Sequence, residues 1–511
     1  MTLGNTLRLL SPELLLLFTG LVVLCVDFIW RDHVRKTLWM PALAVVGLAA
    51  ALAAAILLWK TEPATVLAVM AVDHFALLFK MIATLTVGLV VVASVPYLQE
   101  RTPYRGEFYA LLVFAALAIC LASSAINLIS VYLAMEFLSI TSYVLAGYLR
   151  GDTKSNEAGL KYFLYGAVTS AAMLYGMSLL YGATGTTDLA GIAQVLTGSG
   201  PRLQWLAVAA IILLLAGFGF KMVLAPFHQW APDTYEGAPT PVTAFLSVGS
   251  KAAGFAILMR VFLTALYDFR GGEHVFLGGI GWMGFLMSLS IISMLLGNLI
   301  AMRQTDIKRM LAYSSIAQAG YIIIGVIAIA TDESNAFQGV NGTLFYLLGY
   351  LFSNLAAFIA VIAFENATGS TAIADYRGLV RRSPVLAGVL LVAMLSLAGI
   401  PGTVGFMGKF LVFGAAIRVG LSQTLILAIV GIVTSVIGAF YYLNVVRYIF
   451  FERAAPPETG GTGDEATPIA VPAGLKVGLA LAAVGVVVIG VYPDPFINLA
   501  TQSMQMLAGG F

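Results

Sequence analysis

Apolar residues run along this chain in long stretches, separated by short polar or Pro/Gly-rich junctions, from residue 11 to residue 492. A helix that crosses the hydrocarbon core of a bilayer needs roughly 20 such residues. Stretches of that kind fall near 11–30, 38–59, 67–95, 108–125, 127–149, 158–181, 204–236, 241–267, 279–302, 310–330, 340–364, 384–417, 422–450 and 474–492. The pattern predicts an all-α integral membrane protein with about fourteen transmembrane helices. Two stretches, 204–236 and 384–417, are too long for one straight helix, and both contain proline. The chain divides into an N-terminal group of three helices (1–107), a core (108–451, with halves of about 108–270 and 271–451), and a Pro/Gly/acidic linker with one last helix (452–511).

Composition agrees with this pattern. Hydrophobic residues make up 60% and charged residues 10% of the sequence. A soluble domain carries about 25% charged residues, so lipid is the expected solvent. A net charge of +2 gives no reason to expect nucleic acid. Cys25 and Cys120 both lie in apolar runs, and His33, His74, His228 and His274 are scattered. Cluster or haem ligation on this chain is therefore not expected, nor is a metal site. The first apolar run has one basic residue before it, Arg8, and no clear cleavage site, so it reads as a retained helix.

Lysine and arginine divide unevenly between alternate junctions, seventeen in one set and six in the other. The richer set includes Lys154, Lys161, Lys308 and Arg309, and the poorer includes Arg260. By the positive-inside rule the richer set is cytoplasmic and both termini lie outside. The loops 150–157 and 366–383 are then expected inside, and 183–202 outside.

Four lysines fall within the expected spans: Lys80, Lys221, Lys251 and Lys409. A charge at a helix centre costs about 2.5–3.5 kcal/mol even on the lenient insertion scale. Glu136, Lys221, Lys251 and Lys409 are too far from their span ends to snorkel easily, and they are the candidate functional set. A structural ion pair joining Glu136 to one lysine is the alternative reading. Lys80, seven residues after Asp73, is expected to pair with it. Polar stripes accompany the charges: Tyr132, Ser139 and Tyr143 around Glu136; Ser247 and Gly254 around Lys251; then Ser314, Gln318 and Tyr321; then Tyr346, Tyr350, Ser353 and Asn354. Such stripes face protein or water, either as helix–helix glue or as a hydrated path.

Pro226 interrupts the first long stretch, and Gly399, Pro401 and Gly405 interrupt the second. Matched interruptions in two halves point to inverted repeats around an ion site. Segments 132–147 and 310–325 share Leu133/Leu311, Ala134/Ala312, Tyr143/Tyr321 and Gly147/Gly325, with Glu136 opposite Ser314.

The run from Gly219 through Lys221, Pro226, His228 and Trp230 to Asp233, then Tyr235 to Val242 and Ser250-Lys251, resembles the proton-conducting antiporter family. That family contains the large membrane-arm subunits of complex I and the multisubunit cation/proton antiporters. Ser155 to Phe163, Leu180 to Gly185 and Gly399 to Phe410 are similar to its subunit N branch, which includes mitochondrial subunit 2. The resemblance implies antiporter-like inverted repeats of five helices, each with a broken helix. It also implies that Glu136 pairs with Lys221, that Lys251 is the central lysine and Lys409 the terminal one, and that together they relay protons. Tyr132, Ser139, Ser247, His228, Gln318 and Tyr350 are the expected supporting polar groups. No cofactor is implied on this chain; NADH, FMN, iron–sulfur clusters and quinone would belong to partner subunits. The implied partners are other membrane-arm subunits, both antiporter-like and small, in a bacterial cytoplasmic membrane. A subunit of a cation/proton antiporter or of a ferredoxin- or hydrogenase-linked relative stays open, as does a structural subunit without a conduction path.

Overall fold

The computed structural model describes residues 2–29, 33–197, 200–271, 281–331, 336–452 and 468–508. Among them, 13 helices are long and apolar enough to cross a membrane. Two shorter helices, Pro384–Ala398 and Val404–Val419, occupy the remaining expected stretch. The helices are therefore those the apolar pattern predicts, and the chain is an all-α, multi-pass membrane protein. Residues 453–467 of the expected linker, together with Arg31, Arg453 and His274, lie outside the described residues.

Burial separates the helices by role. Thr240–Thr264, Ile307–Thr331 and Asn341–Thr368 are almost wholly enclosed by other helices, whereas Thr153–Thr184 turns most of its surface outward. Three of the four polar stripes sit on these enclosed helices, where they meet protein rather than lipid, while that of Tyr132, Ser139 and Tyr143 lies on the half-buried Leu128–Ala146. Helix starts follow local chemistry. Asp152 caps Thr153–Thr184 by accepting from Lys154 N at 2.9 Å, and Asp73 caps His74–Arg101 by accepting from Ala76 N at 2.7 Å.

Three expectations need correction. Asp73 and Lys80 do not pair. Asp73 takes a bidentate bond from Arg260, at 2.8 and 2.9 Å, while Lys80 pairs with Glu13 at 2.6 Å. The seven-residue spacing puts Asp73 at the helix end and Lys80 two turns inward, so each meets a different neighbouring helix. Arg260 is not in a junction but buried within Thr240–Thr264, where Asp73 and the Ser123 carbonyl satisfy its guanidinium. The last apolar span is followed by a further helix, Asp494–Ala508, which docks on the bundle; Gln502 Oε1 there accepts from Trp59 Nε1 at 3.1 Å.

Candidate functional site

The helix Pro201–Met222 stops at Val223, whose φ of 63° is left-handed. Leu224 N closes the helix end by donating to Gly219 O at 2.8 Å. Residues 223–229 are irregular, and Pro226, which follows a cis peptide bond, lies among them. The groups released by this break find local partners: Ala225 N donates to Ser293 Oγ at 2.9 Å, and Trp230 Nε1 donates to Phe220 O at 3.2 Å. Lys221, at the helix end, is buried, and its Nζ donates to Ser139 Oγ at 2.9 Å. Ser139 is one turn beyond Glu136 on the helix Leu128–Ala146. The Glu136 carboxylate does not pair directly with Lys221, which corrects the expected contact. It accepts instead from Ser170 Oγ, on the neighbouring helix Thr153–Thr184. A serine thus stands at each end of the interaction, one holding the ammonium and one the carboxylate.

Lys251 follows a π-helical turn, Leu246–Ser250. Wide turns of this kind recur at functional sites because they change which side chains face inward. Lys251 Nζ donates to both the carbonyl and the hydroxyl of Ser315, each at 2.5 Å. Tyr350 Oη donates to the same Ser315 hydroxyl at 3.1 Å, and its ring centre is 5.3 Å from Lys251 Nζ. Ser247 Oγ accepts from Asn354 Nδ2 at 2.6 Å. On neighbouring helices and beside Lys251 itself, the buried hydroxyls of Tyr162, Tyr235 and Ser250 make no hydrogen bond among the described residues. Buried hydroxyls without a partner mark a place where water is needed.

The second break is built differently. Gly399 ends Pro384–Ala398 with a φ of 88°, Pro401 follows, and Val404–Val419 begins beyond them. Lys409 turns its ammonium back onto the carbonyls this break exposes, Leu397 O at 2.9 Å and Ala398 O at 3.0 Å, and onto Ser435 Oγ at 2.8 Å. An ammonium has three donors, and here each has an acceptor. Gln318 joins this site to the central one. Its amide Nε2 donates to Leu397 O at 3.1 Å and to Tyr442 Oη at 3.2 Å, and its Oε1 accepts from Tyr346 Oη. Gln318 is one turn from Ser315 on Ile307–Thr331, so one helix face connects Lys251 to Lys409.

Tyr132 and His228 stand outside this network. Tyr132 is half-buried, and His228 Nδ1 is buried without a partner. Sequence reasoning missed Ser170, Ser315, Ser435 and the two carbonyls. Serines are common in spans, and nothing in their spacing reveals a partner on another helix. It also missed an ion-pair cluster at the basic end of the bundle. Lys154 meets Glu236 at 3.1 Å, Lys161 meets Glu157 at 2.7 Å and Asp233 at 2.6 Å, and Arg309 meets Asp233 at 2.7 Å and Glu236 at 3.0 Å. With Ala158 and Gly237 these residues line a pocket of about 190 Å³. Burial opposes ionisation of Asp233, but hydrogen bonds from Lys161 and Arg309 outweigh it and hold the carboxyl below its usual range. Glu236 is held low in the same way, with Lys154 and Arg309 outweighing burial.

The NADH:quinone oxidoreductase/Mrp antiporter transmembrane family matches residues 125–438. NADH-quinone oxidoreductase subunit N of Desulfitobacterium hafniense is 39% identical over 513 residues, covering 98% of this chain and 99% of that one. NAD(P)H-quinone oxidoreductase subunit 2 of Gloeobacter violaceus is 42% identical over 504 residues, covering 97% and 92%. Among solved structures, a chain of respiratory complex I from Thermus thermophilus with bound aureothin superposes with a TM-score of 0.76 at 33% identity, covering 96% of this chain and 99% of that one. A chain of the Mrp complex from Dietzia sp. superposes with a TM-score of 0.81 at 20% identity, covering 99% and 98%, a likeness of fold.

Proposed function

The chain belongs to the NADH:quinone oxidoreductase/Mrp antiporter transmembrane family, and from that premise we propose that it moves protons as subunit N in the membrane arm of a bacterial NADH–quinone oxidoreductase. The observation that carries this reading is the row Glu136–Lys221–Lys251–Lys409, in which every ammonium is buried and each meets a hydroxyl. Hydroxyls accept and donate at once, so Ser139, Ser315 and Ser435, with water at the unpartnered Tyr162, Tyr235 and Ser250, give a proton somewhere to go.

The relay works by charge. With Glu136 ionised, its field favours the ammonium of Lys221. When that field weakens, the Lys221 N–H bond breaks and the proton passes by way of hydroxyls and water to the neutral amine of Lys251. Lys251 hands a proton on past Ser315 and Gln318 to Lys409, where three acceptors receive the charge. Moving one charge against the membrane potential takes about 2.3 kcal/mol per 100 mV. The energy comes from quinone reduction in partner subunits, which hold the FMN and iron–sulfur clusters and bind NADH and quinone. Partners are the other antiporter-like and small membrane-arm subunits. The basic end faces the cytoplasm, and both termini lie outside.

Membrane vesicles from cells expressing Lys251→Met test this. NADH-driven quinone reduction should continue while proton uptake per quinone falls. Unchanged uptake would contradict the relay. Purifying the chain with only small membrane partners, and without flavin, would contradict the NADH-linked assignment.

A further inference from the structure

We propose that Lys308 and Glu365 form a proton-loading site at the basic end of the bundle, which supplies Lys251 without passing through Lys221. The proposal rests on the relay reading above and gives it a second entrance.

Lys308 counts as a junction residue by sequence, yet the fold buries it, leaving 4% exposed. Among the described residues its single hydrogen bond is from Nζ to Ala238 O at 2.9 Å. Ala238 follows Gly237, and Gly237, Glu236 and Arg309 all line the pocket at the basic end. Lys154 on the same wall is 69% exposed, so the pocket reaches solvent. Lys308 therefore lies one residue behind the floor of a polar, solvent-reached pocket.

Glu365 stands near the end of Asn341–Thr368, its side chain 13% exposed. Thr240, two residues past Ala238, donates to its carboxylate, and so does Tyr97 Oη at 3.4 Å, while Arg101 approaches to 3.8 Å. The carboxylates whose fields reach Lys308 are those of Glu365, Asp306, Glu236 and Asp152. None forms an ion pair with it. The ammonium thus has one carbonyl and a negative surround, and two of its donors are free.

The faces of two enclosed helices lead from here to Lys251. Lys308 is seven residues from Ser315, two turns or about 10 Å along the same face, and Ser315 holds Lys251. Glu365 shares a face with Phe358 and Asn354 on Asn341–Thr368, and Asn354 holds Ser247. Tyr235 lies near Ser315. It belongs to Trp230–Gly237, the helix that forms the pocket wall, and is wholly buried with an Oη that has no partner. Its ring centre is 6.5 Å from that of Phe358. A buried hydroxyl left open is a place for water.

In the proposed step the Lys308 N–H bond breaks and its proton passes by hydroxyl and water exchange to the neutral amine of Lys251. A proton from pocket water restores the Lys308 ammonium. A purely structural lysine needs only its charge and its bond to Ala238 O. Arginine supplies both but does not deprotonate in a protein.

The test uses the assembled complex in membrane vesicles and reads protons taken up per quinone reduced. Lys308→Arg should assemble and lower that ratio to what the Lys221 entrance and the other subunits still supply, and Glu365→Gln, which keeps an acceptor for Thr240, should lower it less. Wild-type uptake in Lys308→Arg would overturn the proposal. If that variant fails to assemble, wild-type uptake in Glu365→Gln overturns it equally. Lys251→Met, run alongside, separates the two claims. Full uptake there removes the relay itself, whereas lost uptake there with full uptake in Lys308→Arg removes only the loading site.

Discussion

The two helix breaks carry a lysine each, and they use it in opposite ways. At the first, the backbone groups freed around Pro226 are taken by Ser293, by Trp230 and by the helix end itself, so Lys221 is left with one acceptor, Ser139. At the second, the carbonyls of Leu397 and Ala398 are left open by Gly399, and Lys409 takes both along with Ser435. Lys409 is thus part of the architecture of its break, whereas Lys221 merely stands beside its own. A lysine with one neutral acceptor responds strongly to a charge nearby, and Glu136 is that charge. A lysine with three acceptors is buffered against such changes. The same motif, a broken helix with a lysine, gives a switchable site in one half and a fixed site in the other.

The largest expected effect breaks the comparison at its structural end. Lys409→Met leaves Ala398 O and the half-buried Ser435 Oγ without their ammonium, while Leu397 O keeps its bond from Gln318, and an unmet buried acceptor costs about 1–3 kcal/mol. That variant should lower both proton uptake and the thermal stability of the complex, while Lys221→Met should lower uptake and leave stability nearly unchanged. Equal stability losses in the two variants would erase the distinction. Next is Gly399→Ala. A Cβ there would lie 3.0 Å from Lys409 Cδ and 3.3 Å from its Nζ, on a residue with φ of 88°. The change should cost about 1–2 kcal/mol from the backbone alone, seen as a lower unfolding temperature. Wild-type stability would show that the left-handed turn is dispensable.

The serines sharpen the contrast. Ser139→Ala removes the one acceptor of Lys221 and should cut proton uptake several-fold, whereas Ser435→Ala leaves Lys409 two carbonyls and should cut it less. The reverse order, measured in the same vesicles, would contradict the asymmetry. The smallest effect is at the basic end. Asp233 and Glu236 are held below the usual carboxylate range, so their ion pairs contribute fully above the ordinary pKa of about 4 and are lost only as pH falls beneath it. Amide protection factors across residues 230–237, taken relative to intrinsic exchange at each pH, should therefore stay constant from about pH 7 to pH 5. An opening of this helix within that interval would show that these carboxylates are not held low.

Much of the fold was legible in the apolar pattern, because a lipid solvent leaves helices few other ways to satisfy their backbone. The breaks were legible for a related reason: proline and glycine inside an over-long span have no regular place to go. The row of charges could be picked out by cost alone. What could not be read was which groups meet. Asp73 and Lys80 share a helix face and suggest a pair, yet Arg260 and Glu13 arrive from other helices and take one each. Glu136 and Lys221 suggest a contact, yet each meets a serine, Ser170 and Ser139. Lys308 reads as a junction residue until the short helix Trp230–Gly237 closes over it. Each miss is a partner supplied by a distant segment, and one-dimensional periodicity carries no trace of it.

The account rests on Glu136 acting on Lys221 through its charge and not as a structural partner. A double-mutant cycle in membrane vesicles tests this directly, with Glu136→Gln, Lys221→Met and the two combined, each assayed for assembled complex and for proton uptake coupled to quinone reduction. The account predicts assembled complex in all three and proton uptake lowered in both single variants and equally in the double. A structural pair would instead destabilise each single variant by about 3–5 kcal/mol and recover in the double, and normal uptake in the double variant would contradict the relay.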